Sequence, residues 1–138
     1  MKSKFLVSKS KENYYSKNFK CYIKKSGEII IQNEESIYKP QEDDEEFIVE
    51  FQFIALNHAE NRDILSQSVS FDTNGSARID IATFNDLRLR AVLRNWNLTD
   101  ENGEPLSLSA RNIDSLNPAI SAAMISIINE VLGLGLGI

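Results

Sequence analysis

The run Phe47-Ile48-Val49-Glu50-Phe51-Gln52-Phe53-Ile54 constrains this chain more than any other segment. Phe47, Val49, Phe51 and Phe53 recur at every second residue, so an extended backbone places all four on one face. Three phenylalanines and a valine on one face predict a half-buried β-strand. Two further stretches read as hairpins. Phe19–Ile23 alternates large and charged residues, Glu28–Gln32 is β-branched, and Ser26-Gly27 lies between them as a tight turn. Val69 and Phe71 alternate before Thr73-Asn74-Gly75-Ser76, and Ala77, Ile79 and Ile81 alternate after it. Asn-Gly supplies the two positive φ values of a type I′ turn, so that turn type is expected here. Between the first hairpin and the Phe47 strand, Pro40–Glu46 is acidic with nothing to bury, which predicts a mobile loop.

Helical signals follow. Asn57 with Glu60 three residues on is a capping box for a helix to about Gln67. From Thr83 a longer helix is expected through Leu98, with Phe84, Leu87, Ala91 and Leu98 on one stripe and Leu89, Val92, Leu93 and Trp96 on another. Leu87-Arg88-Leu89-Arg90 also alternates like a strand, but strong helix formers and the length of the segment favour a helix. Thr99–Pro105 is a turn, with Gly103 able to take a left-handed conformation and Pro105 opposing a helical residue before it. Ser109 caps a short helix, and Asn117-Pro118 opens the last one. That helix carries Ile120, Ala123, Met124, Ile127, Ile128, Val131 and Leu132 as an apolar face and stops at Gly133.

These elements predict an α+β fold in one domain spanning 1–138, near the commonest domain length. Residues 1–81 are mainly β, with the mobile acidic loop at 40–46, a helical part fills 82–133, and 134–138 forms a flexible apolar tail. No apolar run reaches the roughly 18 residues of a membrane span, and the first residues are too polar for a signal peptide. A single cysteine, Cys21, excludes an internal disulfide framework and suits a reducing, cytoplasmic setting. Charge is segregated: residues 1–25 hold eight Lys and one Glu, while residues 26–50 hold nine acids and one Lys. The Lys-rich start reads as a solvated strand face and terminus rather than a nucleic-acid arm.

Catalytic patterns are missing from the sequence. Asp100-Glu101-Asn102-Gly103 fails as a calcium loop, because Gly103 in sixth place puts Leu98 at the first ligand position. His58 is the single histidine, and Glu60 and Asp63 do not give it metal-site spacing. Cys21 sits in a strand with no histidine near it in sequence, as a structural thiol does. No nucleophile elbow or phosphate loop is present. No catalytic, cofactor or metal residues are therefore assigned, and a non-enzymatic role is expected. Apolar helix faces remain as candidate partner-binding surface: Leu89, Val92 and Trp96 on one helix, and Ile125, Ile128 and Leu132 on the last; the other reading of both is core, with one side of the first helix covering the chain's own sheet.

Residues 84 to about 132 resemble the tail assembly chaperones of long-tailed bacteriophages. The resemblance lies in Leu87-Arg88-Leu89-Arg90 leading into Asn95-Trp96-Asn97-Leu98, then the acidic Thr99-Asp100-Glu101-Asn102-Gly103-Glu104-Pro105-Leu106 turn. It continues through Leu108-Ser109, Asn112-Ile113 and Leu116 into the Ile120–Leu132 helix. It covers about a third of the chain. It implies a tail morphogenesis protein, acting in the host cytoplasm, that coats the tape-measure protein or escorts tail-tube subunits through apolar helix faces. The Pro40–Glu46 loop and the Asn74-Gly75 hairpin depart from the simplest members. That departure leaves a structural virion protein of the neck, tail-joining region or baseplate as the alternative. A homo-oligomer is compatible with either role.

Overall fold

The computed structural model describes residues 13–33 and 37–133. The Lys-rich residues 1–12 and the tail 134–138 lie outside the described residues. In chain order the elements are β1 (Tyr15–Ile23), β2 (Ile29–Ile31), β3 (Glu45–Phe53), α1 (His58–Gln67), β4 (Val69–Phe71) and β5 (Ala77–Ile79). They continue as α2 (Ile81–Val92), β6 (Leu93–Trp96), α3 (Ala110–Asp114) and α4 (Pro118–Leu132). The fold is α+β, as its alternating and helical patterns imply.

Four strands form an antiparallel sheet in the order β2-β1-β3-β6. The Phe47 segment is its centre. Val49, Phe51 and Phe53 are buried and Phe47 is half-buried, all on one face. Register extends that face across β1, because Phe19 stands opposite Val49 and Cys21 opposite Phe47. Helices cover it: Leu89 and Val92 of α2, Ile113 of α3, and Ile120, Met124 and Ile128 of α4 share one apolar cluster with the strands. The last three are spaced at i, i+4 and i+8, so one stripe of α4 enters the core. The opposite sheet face is mixed: Ser16 bonds Gln52 and Lys20 pairs with Glu46 at 2.9 Å, while Ile48 is exposed there and Tyr22 packs on Tyr38.

Caps fall where the sequence puts them. Asn57 and Glu60 form both halves of the capping box, Ser109 accepts from Asn112 N–H, and Asn117 precedes Pro118. Gly133, with φ +77°, ends α4. The Thr99–Pro105 turn is present, closed by a bridge between those two residues.

Four expectations need correction. The helix from Thr83 to Leu98 is shorter and starts earlier: Asp80 caps it, and it ends at Val92. Leu93 adopts an extended conformation with neither glycine nor proline to force it, and the chain enters β6 along the free edge of β3. Trp96 is thus a strand residue. The gain is pairing for the edge of β3, whose backbone groups a helix over this segment would leave unpaired. Asn97 prolongs it, since its side-chain amide accepts from Glu50 N–H and donates to Ile48 O, both at 2.9 Å.

The second correction concerns the Asn74-Gly75 turn. Gly75 has φ +80°, but no described non-glycine residue has positive φ, so type I′ is excluded. Gly75 N–H donates to Asp72 O and Asp72 N–H to Ser76 O, a three-residue loop with the glycine in a bulge position. Two other loops share this bonding, Lys24 to Glu28 and Asp100 to Glu104. In Asp72 and Asp100 one carboxylate oxygen also accepts the N–H groups two and four residues on. Third, Glu45 and Glu46 belong to β3 rather than to the acidic loop, and Asp44 bonds both Tyr38 and Gln41 within that loop. Fourth, the division at residue 82 is not clean, because β6 follows it.

Candidate functional site

The six residues expected to bind a partner do not form a free surface. Leu89, Val92 and Ile128 are 3%, 0% and 2% exposed, inside the core. Their stripes cover the sheet of the same chain, which the helical period could not reveal. Trp96, Ile125 and Leu132 are half-buried and packed against that core. Trp96 is fixed further by its indole N–H, which donates to Leu106 O at 2.8 Å and clamps the turn that follows β6.

The apolar surface left in water lies elsewhere. Val69, Phe71, Ile79 and Ile81 are 37%, 72%, 42% and 49% exposed. Val69 pairs with Ile79 and Phe71 with Ala77, so these four side chains share one face of the β4–β5 hairpin. Ser70 and Arg78 hold the other face. The two strands form a sheet of their own. An isolated hairpin is marginally stable in water, so this arm depends on its root and turn. The root is firm: buried Ser68 donates through its hydroxyl to Ile64 O, and Asp80 N–H donates to Ser68 O, both at 2.8 Å. The turn is closed by the Asp72 carboxylate described above.

The arm also presents strand edges. Asp80 N–H to Ser68 O and Asp72 N–H to Ser76 O fix the ladder's parity. Ser70 and Arg78 therefore turn their backbone groups towards each other. Val69 and Phe71 turn theirs outward on one edge, and Ala77 and Ile79 on the other. A partner can thus add an extended segment to either edge or lay an apolar surface across the face. The alternation of Val69, Phe71, Ala77 and Ile79 was visible in sequence. That the described residues leave it exposed was not.

Residues with chemical potential are otherwise occupied. Cys21 is 1% exposed, and burial pushes its thiol pKa upward, away from reactive thiolate. His58 is the first residue of α1, and Glu60 is committed to the cap. No group of three or more His, Cys, Asp or Glu among the described residues is placed to hold a metal. An open depression of about 290 Å³ is lined by Ser16, Asn18, Gln52, Asn95 and Asn97 with neighbouring residues. Asn95, Asn97 and Gln52 spend polar atoms on backbone or on Ser16. No described helix is long and apolar enough to cross a membrane. Compared with protein families, curated proteins and solved structures, the chain matches none.

Proposed function

We propose that this chain is a non-enzymatic assembly protein whose β4–β5 arm binds another polypeptide. The observation that carries the reading is the apolar face of Val69, Phe71 and Ile79 beside Ile81, left in water on an anchored hairpin. Following the resemblance in residues 84 to 132, the partner is the tape-measure protein or the tail-tube subunit of a long-tailed phage. The role is that of an assembly chaperone in the host cytoplasm. The arm takes over the part that the helix stripes were expected to play. Its small area suits a contact that a polymerising tube can displace, because affinity grows with well-packed apolar contact and this patch offers little of it.

A second reading, a structural virion subunit, draws on the outward edges of β4 and β5, which a neighbouring subunit can extend by strand addition. Mass spectrometry of purified particles separates the two. The chaperone reading expects the chain to be missing from particles and to co-purify with the tape-measure protein before assembly. A fixed, ring-like copy number in particles favours the subunit. Wild-type binding to both tail proteins by a Phe71→Ser variant overturns the arm's role in either case.

A further inference from the structure

Arg88 is a buried cation that pairs with no carboxylate among the described residues. It is 5% exposed, in the middle of α2. Its guanidinium lies 5.9 Å from the Phe84 ring centroid and donates to the Asn129 side-chain oxygen at 2.7 Å. That acceptor is neutral. The salt bridges among described residues are Lys20–Glu46 and Arg90–Asp114, so exposed Arg90 has a carboxylate while buried Arg88 has none. Burial alone pushes the Arg88 pKa down from its ordinary value. Removing an ion from water is costly unless an opposite charge compensates, and an amide oxygen compensates only in part.

Arg88 lines a groove of about 230 Å³. Half-buried Leu56 and Leu132 supply apolar wall, and Asn57 and His58 stand at the start of α1. The positive end of that helix faces the same space and adds to the field of the guanidinium. Glu60, the acid of the first turn, is held by the Asn57 N–H in the cap. A guanidinium has five donors in a planar fork that matches a carboxylate, and one recorded bond leaves most of them open.

We propose that this groove binds a carboxylate bearing a short aliphatic group. The carboxylate meets Arg88, and the aliphatic part packs on Leu56 and Leu132. The source is a small aliphatic acid or the terminal carboxylate of a peptide. Both present the same chemistry. The site is separate from the β4–β5 arm, so it stands or falls independently of the assembly role.

The test is thermal unfolding of the full chain with hexanoate, with uncharged hexanamide, and with a Leu-Ile dipeptide carrying either a free or an amidated C-terminus. Hexanoate should raise the wild-type midpoint in a saturable way, binding at least tenfold more tightly than hexanamide. The free-acid dipeptide should surpass its amide if the pocket reads a peptide end, and hexanoate alone should act if it reads a small acid. Arg88→Met should unfold at a higher temperature than wild type without ligand and lose the response to acids. Arg88→Lys should keep a weakened response, since it keeps the charge without the fork. Equal effects of hexanoate and hexanamide on the wild type, or no effect of any acid, overturn the proposal. That comparison needs no variant, so it decides the matter even if Arg88→Met fails to fold.

Discussion

Replacing Phe71 by serine separates folding from binding. Phe71 is 72% exposed, so the fold covers about a quarter of it. Full burial of such a side chain stabilises by about 1.5–3 kcal/mol, which makes its present share about 0.4–0.8 kcal/mol. Serine's weaker strand preference adds a few tenths, for a total of about 1 kcal/mol. For a chain of 138 residues that lowers Tm by roughly 2–5 °C. Binding is expected to respond more. A partner that covers the remaining three-quarters of the ring removes roughly 150 Å² from water, an upper bound of about 4 kcal/mol at 25 cal/mol per Å². Association recovers only part of such area, so a loss of about 2 kcal/mol, roughly 30-fold in Kd, is the working figure. Scanning calorimetry measures the first quantity, and titration calorimetry against tape-measure segments measures the second on the same preparation. A Tm drop beyond about 10 °C would show that Phe71 is packed inside the fold. An unchanged Kd with a normal Tm would show that the arm binds nothing there.

Three other outcomes are expected. Met124→Ala empties a fully buried site between α4 and the sheet and should cost about 2–5 kcal/mol in denaturant unfolding; a cost below 1 kcal/mol would contradict the packing. Asp100→Ala removes the acceptor of the Asn102 and Glu104 amides, and hydrogen exchange of those two should quicken while Asn74 and Ser76 stay protected by Asp72. Tyr38 donates to Asp44 at 2.6 Å, which pushes the phenol up to about 12, while the Gln41 N–H and then Tyr38 hold Asp44 below 3.8. A phenol raised above its unfolded value stabilises below pH 10 and loses that contribution as pH climbs to 12. A lowered carboxyl stabilises above pH 3.8 and loses it as pH falls further. Tyr38→Phe should therefore shrink the alkaline loss and move Asp44 part of the way back to 3.8 in an NMR titration, the Gln41 bond remaining. No movement of Asp44 would rule out the pair.

Local chemistry was the legible part of this sequence. Asn57 with Glu60, Ser109 and Asn117-Pro118 each act within a turn of helix, so neighbours in sequence suffice to place them. The face of Val49, Phe51 and Phe53 was likewise set by period two. The segment Val92–Trp96 was not legible, because Leu89, Val92, Leu93 and Trp96 satisfy a helical stripe just as well. The free edge of β3 decides it, and Ile54 N–H donating to Val92 O and Asn97 N–H to Glu50 O are contacts over about 40 residues. The same holds for the binding surface. An apolar stripe says that a face seeks cover. Whether α4 finds it in the sheet's apolar cluster and beside β2, or the hairpin finds none among the described residues, depends on long-range packing. The turn type was misread for a local reason: Asn-Gly suggests type I′, but Asp two residues before Asn favours the wider loop in both places where it occurs.

The most direct measurement places a photo-activated cross-linker at position 71 and, separately, at position 125, in cells that also make the tape-measure and tail-tube proteins. The account predicts that position 71 captures one of those two proteins by mass spectrometry while position 125, turned to the chain's own core, captures neither. Capture from position 125 with none from position 71 would contradict it.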